Sequence, residues 1–299
     1  MATLQSWVKA ARLRTLPLAL ASIGMGGALA FRFPGFNSWA VVMAGLTTLL
    51  LQILSNFAND YGDAKTGLDN EGRLGPSRMV QSGQISRKEM KRAIHLMSIL
   101  SLTSGLWLIF GVAGLSNTIA VLFVLLGIAS IAAAIKYTVG KNPYGYVGLG
   151  DLFVFLFFGL TGVSGTYFLA TPEWNLLVLL PSAALGMLSA AVLNLNNMRD
   201  LDNDGANGKI TLAVNLGFIR ARVYHIILVM LPFILLAAYV YLSGLKGPAW
   251  LFVLTLPLFV ADLIQIMKTT DKADLDPFLK KLALKTLLLT LLFAIGINF

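Results

Sequence analysis

The sequence predicts an all-α polytopic membrane protein of about nine transmembrane helices, with a cytoplasmic N-terminus and two Asp-rich cytoplasmic loops capping a central intramembrane chamber. Three observations carry that prediction. Hydrophobic residues fill 57% of the 299 positions and charged residues only 12%, about half the roughly 25% of a soluble domain and too few to cover a water-facing surface. The apolar residues fall in runs near the ~20-residue length that crosses a bilayer as a helix. Lys and Arg concentrate in alternate breaks between those runs, as they do in cytoplasmic loops.

The runs, in order, are 16–32, 38–58, 91–111, 118–136, 149–170, 175–196, 222–243, 249–267 and 279–297. The first follows Lys9, Arg12 and Arg14 as a signal peptide would. It lacks a clear small-residue cleavage site and more spans follow, so it reads as a helix. The later runs hold Gly and an occasional Pro, which membrane helices tolerate. Of the 23 Lys and Arg residues, 21 precede the first run or follow the even-numbered ones, and only Arg32 and Lys246 fall on the other side. That asymmetry places the N-terminus inside and, with nine crossings, the C-terminus outside. The chain reads as a single membrane-embedded domain over 1–299 with two long cytoplasmic loops, 59–90 and 197–221. Runs two and six both end in an Asn/Asp-rich segment, which points to a repeat of four-helix units.

Composition also excludes chemistries. With no Cys and 2 His, thiol chemistry and Cys- or His-rich metal sites are ruled out. The net charge of +9 is spread over short breaks rather than gathered on one soluble face, so no nucleic acid is expected. His95 and His225 read as interfacial or packing residues. Asp262, an acid inside the eighth run, is a functional candidate by default or a partner within the bundle.

The acids carry the sharpest signal. Of the 14 acidic residues, Asp60, Asp63, Asp69 and Glu71 form one block and Asp200, Asp202 and Asp204 a second. If each preceding helix runs on for a turn, Asn56, Asp60 and Asp63 share one face, and Asn197, Asp200 and Asp204 share another. Asp202 falls off that face. Two facing carboxylate clusters need cations, since like charges raise one another's pKa. Oxygen ligands alone suit Mg2+, which binds few carboxylates together with substrate phosphates. Lys65, Arg73, Arg78, Lys136, Lys141, Arg199 and Lys209, all in breaks on the same side, would balance further phosphate charge. The plainer alternative is a set of solvated carboxylates paired with loop bases; two blocks at equivalent helix ends in so acid-poor a chain favour the site.

These stretches resemble a known family. Asn56-x-x-Asn59-Asp60-x-x-Asp63-x5-Asp69 with Asp200-x3-Asp204 is similar to the paired aspartate motifs of the UbiA superfamily of intramembrane aromatic prenyltransferases. The runs Arg73-Leu-Gly-Pro-Ser-Arg78, Tyr137 to Asp151, and Asn196-Asn197-x-Arg199-Asp200 followed by Gly208-Lys209 resemble its branch acting on 1,4-dihydroxy-2-naphthoate. The spacing from Asp63 to Asp69 is longer than the DxxxD of some relatives.

The resemblance implies a Mg2+-dependent transferase in the plasma (inner) membrane with its active site facing the cytoplasm. It would join a polyprenyl diphosphate to 1,4-dihydroxy-2-naphthoate with loss of CO2 and diphosphate, giving demethylmenaquinone, its prenyl tail lying among the helices beside membrane lipid. It implies Asp60, Asp63, Asp200 and Asp204 as catalytic residues that, with Asp69, hold metal. Asn56, Asn59, Lys65, Arg73, Arg78, Lys136, Asn197 and Lys209 would bind diphosphate, and Tyr137, Lys141, Tyr144, Asp151 and Arg199 the acceptor. The tyrosines Tyr61, Tyr137, Tyr144 and Tyr146 suit either an interfacial belt or shielding of an allylic cation. Related acceptors such as 4-hydroxybenzoate or homogentisate are the nearest alternatives. A divalent-cation transporter is the non-enzyme alternative, although it would place its acids nearer the bilayer midplane.

Overall fold

A computed structural model describes all residues except 1, 67–73, 76–77 and 117, and all described side chains except those of Arg14 and Thr66. Asp69, Glu71 and Arg73 lie outside the described residues. Among the described residues the chain is helical, with no strand: α1 Leu4–Ala11, α2 Leu16–Ala30, α3 Ser38–Thr66, α4 Arg87–Val112, α5 Thr118–Lys136, α6 Gly150–Ala170, α7 Leu179–Arg199, α8 Leu201–Ala206, α9 Leu212–Leu242, α10 Gly247–Lys268 and α11 Asp276–Asn298.

Each of the nine apolar runs is helical, yet among the described residues seven helices are long and apolar enough to cross a membrane, or eight if the bent pair α1–α2 is one span. The 15 residues of α2 cover about 22 Å at 1.5 Å per residue, short of a hydrocarbon core of about 30 Å. Only together with α1, across a 54° bend, does it reach a spanning length. The last helix, α11, has 23 residues and carries Asp276, Lys280, Lys281 and Lys285 in its first three turns.

The two expected loops are more helical than their polarity implied. Asn59, Asp60 and Asp63 lie on α3 itself, which runs on to Thr66. The segment expected as a loop at 197–221 is mostly helix. At Asp200 (φ −93°, ψ 13°) the chain turns, but its N–H still bonds Asn196 O (3.1 Å) and the Asp204 N–H bonds Asp200 O (2.8 Å), so α8 follows directly. The Thr211 hydroxyl caps α9 by accepting from the Val214 N–H, satisfying an otherwise orphaned donor. The expected helix start near 222 lies just beyond a break at Gly217 (φ 73°), a backbone region that favours glycine.

Packing sets up a central space. A large apolar core joins α2 to α6, α7, α9, α10 and α11, and a smaller one joins α1 and α3 to residues 79–85 and α4. Helices α6 and α7 touch backbone to backbone: a Cβ on Gly159 would stand 2.5 Å from Ser182 O and 2.6 Å from the Gly186 Cα. Within α6, residues 155–164 form a wide π-helical stretch. The face of α6 toward the cavity is two adjacent rows, Phe153, Phe157, Thr161, Gly165 and Leu169 beside Val154, Phe158, Gly162 and Thr166, each in steps of four residues. A four-residue step overshoots one turn by about 40° in an α-helix and falls short of one in a wider π turn, so the succession of α and π turns in α6 offsets the drift and keeps the rows facing inward.

Candidate active site

Between these helices lies a cavity of about 350 Å3. Leu108, Ile109, Phe123, Leu126, Phe157 and Leu169 line an apolar interior, and Asn56, Asn59, Asp63, Arg78, Asn196 and Lys209 line its polar part.

The first block is built from the end of α3. Both Asp60 carboxylate oxygens accept backbone N–H bonds, from Met79 and Val80 at 3.0 Å each. Asp60 thereby ties down the turn that carries Arg78. The Arg78 guanidinium then donates to Asp63 at 2.6 Å, and the Tyr146 hydroxyl donates to the other Asp63 oxygen at 3.0 Å. Asn56 and Gln52 hold the α1–α2 bend: Asn56 donates to Ala11 O (2.9 Å) and Thr15 Oγ1 (3.3 Å), and Gln52 donates to Thr15 Oγ1 (3.1 Å). At that bend Arg12 adopts a left-handed conformation (φ 51°) and lines the cavity. A non-glycine residue in this region costs about 1–3 kcal/mol and persists where its surroundings fix it.

The second block meets the first at Lys209. Its ammonium lies 3.2 Å from Asp204 and 5.9 Å from the centre of the Tyr146 ring. Burial opposes its charge, but Asp204, Asp63 and Asp200 outweigh burial and raise its pKa. Burial pushes the Asp204 carboxyl up to about 6, with Asp200 and Asp63 adding to the rise and Lys209 opposing it. The segment between α5 and α6 bridges the blocks. Tyr146 bonds Asp63 through its hydroxyl and the Ile210 N–H through its carbonyl, and Thr138 donates to Ala58 O (3.0 Å) and Asn59 Oδ1 (3.3 Å). A Cβ on Gly62 would lie 2.5 Å from Thr138 Oγ1, so only glycine permits this approach. Tyr137 and Tyr144 also line the cavity, Tyr144 stacked on Phe153 at 4.0 Å. Burial raises both phenol pKa values.

Asn56, Asp60, Asp63, Asn197, Asp200 and Asp204 are all buried, as the shared helical faces predict. Asp202 points away, 75% exposed and paired with Lys272 at 2.5 Å. Of the six buried block residues only Asn56 and Asp63 line the cavity; Asp60, Asn197, Asp200 and Asp204 are not part of its lining, and several other sequence candidates stand apart as well. Lys65, Lys136 and Lys141 are exposed and do not line it. Asp151 is buried at the start of α6, with Oδ1 unpartnered among the described residues, behind the wall rather than in it. Arg199 is fully buried and bonded to Asp200, Asn196 and Asp276, also outside the lining. Asp262 pairs within the bundle with Lys285 at 2.5 Å. Sequence reasoning missed Arg12, Gln52, Asn196 and Lys280 as lining residues. Only Asn196, inside a motif, carried a signal.

The donors fit a hard cation. Only oxygen ligands approach, and the buried Lys209 ammonium already serves as the counter-cation to both blocks. Among the described residues no three acidic or histidine side chains are close enough to hold a metal ion. One or two carboxylates completed by substrate phosphates is how Mg2+ is commonly bound.

Comparison with known proteins shows the family and the fold. The chain is 46% identical over 298 residues to the 1,4-dihydroxy-2-naphthoate octaprenyltransferase of Haemophilus influenzae, covering 98% of this chain and 96% of that one. It is 44% identical over 295 residues to the Escherichia coli protein of the same name, covering 98% and 95%. A UbiA homologue from Archaeoglobus fulgidus, solved with DMAPP and Mg2+ bound, superposes with a TM-score of 0.68 at 16% identity over 98% of this chain and 99% of that one. An apo UbiA homologue from Aeropyrum pernix superposes at 0.67 and 21% identity, covering 94% and 96%. The sequence pattern of the UbiA prenyltransferase family matches residues 19–289, a stretch holding both aspartate blocks and nearly every helix around the cavity; this multi-pass membrane protein belongs to that family.

Proposed function

We propose that the chain transfers a polyprenyl group from polyprenyl diphosphate to 1,4-dihydroxy-2-naphthoate, releasing diphosphate and CO2, from the cytoplasmic face of the plasma membrane. The observation that carries the reading is the cavity itself: Asp63, Arg78 and Lys209 line its polar part, Lys209 being paired with Asp204 of the second block behind it, and an apolar interior is continuous with that part. A polyprenyl diphosphate has the same two-part chemistry. The names of the Haemophilus and Escherichia relatives support the acceptor and make the octaprenyl donor the first to test.

The residues divide the work. Arg78 and Lys209 meet the negative diphosphate by charge-assisted hydrogen bonds, while Asp63 from the first block and Asp200 or Asp204 from the second, one or two carboxylates to an ion, would hold Mg2+ with the phosphate oxygens. When bound, Mg2+ neutralises the charge that develops on the departing diphosphate. Lys209 and Arg78 are preorganised for that same charge, so no protein reorganisation is needed as the allylic C–O bond breaks. Tyr137 and Tyr144, neutral at physiological pH, line the cavity, where their rings would shield the allylic cation. The dihydroxynaphthoate ring supplies the electron pair for the new C–C bond, and the electrons of its C–CO2 bond return to the ring as CO2 leaves, so no net proton is required. Arg12 and Lys280, bases in the cavity lining, are placed to meet the acceptor carboxylate.

The test is acceptor choice. Purified protein with Mg2+ and octaprenyl diphosphate should prenylate dihydroxynaphthoate and leave 4-hydroxybenzoate and homogentisate unchanged. Prenylation of either of those instead would replace the acceptor assignment, and Mg2+ flux through proteoliposomes without prenyl transfer would favour the transporter.

A further inference from the structure

Arg199 is the largest of the fully buried side chains, and every nitrogen of its guanidinium is engaged. Nε and Nη2 grip the two Asp200 oxygens at 3.0 and 2.7 Å. Nη2 also donates to Asn196 Oδ1 at 2.9 Å. Nη1 donates to Asp276, the first residue of α11, 77 positions away. A lone buried guanidinium between α7 and α8 would be costly; Asp276 offsets it from a separate helix. One turn further along, Leu279 and Lys280 of α11 line the cavity. The same junction is crossed by the exposed pair Asp202–Lys272, a contact of the kind that contributes little.

We propose that Asp276 is a positioning residue for the second aspartate block: it fixes the Arg199 guanidinium, whose opposite edge orients the Asp200 carboxylate of that block. Arg199 acts through Asp200 and does not itself touch substrate. The inference rests on the reading of Asp200 as part of the Mg2+–diphosphate site. A planar fork is required, because a lysine ammonium cannot span Asp200 and Asp276 at once.

The experiment uses the full chain in detergent with magnesium and inorganic pyrophosphate as the probe. Thermal stabilisation by the pair is read for wild type, Asp276→Asn, Asp276→Glu, Arg199→Lys and Lys272→Ala. The Mg2+ activation constant and both substrate KM values are read beside it. Asp276→Asn, altering a side chain that is 36% exposed, is the variant expected to fold. It should lose most of the pyrophosphate-dependent shift and raise the Mg2+ activation constant about tenfold, with the acceptor KM unchanged. Asp276→Glu should recover part of both, and Lys272→Ala should behave as wild type. A purely structural Asp276 would lower the basal melting temperature yet leave the ligand-induced shift and the Mg2+ constant intact, which overturns the proposal. A rise in acceptor KM alone would return Arg199 to acceptor binding. If wild type itself gains no stability from magnesium pyrophosphate, the diphosphate-site reading fails, and this inference with it.

Discussion

Asp60 and Asp63 sit three positions apart on one helix, yet their neighbours give them different work. Asp60 spends both oxygens on the Met79 and Val80 N–H groups, whereas Asp63 faces Arg78, Tyr146 and the cavity. Asp63→Ala should therefore lower kcat/KM by orders of magnitude while the protein still inserts and folds. Asp60→Ala should in addition loosen the 78–80 turn, read as faster proteolysis there. Asp204 gives a pH signature. Its carboxyl is pushed up to about 6 by burial, and a metal ligand must be deprotonated, so protons compete with Mg2+ below that pH. The Mg2+ activation constant should rise as pH falls through about 6, and Asp204→Asn should flatten that dependence; a constant independent of pH from 5 to 8 in wild type would remove Asp204 from the metal site. Composition and spacing made the two blocks and the outward Asp202 legible. They could not show that Arg199 is enclosed, because its partner Asp276 lies 77 positions away and no periodicity links them.

At the scale of helices, each apolar run fell on a helix, since length and hydropathy decide what lipid accepts. Yet nine runs gave seven or eight candidate spans among the described residues, and the helices over the second and seventh runs extend eight and ten residues beyond them. What they could not locate was geometry set by contact. The second Asp-rich segment is helical because Asp204 and Asp200 continue the hydrogen-bond ladder across a turn, which its polar composition disguised. Likewise α6 mixes α and π turns that together hold its four-residue rows against the cavity, and the close approach of Gly159 to Gly186 is invisible in one sequence. Gly159→Ala should cost about 1–3 kcal/mol by overpacking, measured as a lower aggregation temperature in detergent. On α5, Gly127 lines the cavity and a Cβ there meets nothing within 4 Å. Gly127→Ala should keep or raise stability, and Gly127→Phe should leave short prenyl donors active while slowing long ones. Equal slowing of a five-carbon donor would mean that the tail does not pass Gly127.

Taken whole, the molecule sets a charged, acid-rich site against an apolar interior inside a shell of lipid-facing residues such as Ile99, Val121, Ile234 and Leu254. That arrangement lets one end of a substrate remain among phosphate-binding groups while the other stays out of water. Transfer should stop in excess EDTA and resume with Mg2+. The central claim is that dihydroxynaphthoate is prenylated with loss of its carboxylate, and acceptor labelled at the carboxyl carbon tests it most directly. With octaprenyl diphosphate and Mg2+, the account predicts one labelled CO2 released per prenylated product and none without the prenyl donor. Label retained in the prenylated product, or CO2 released independently of prenyl transfer, would contradict it.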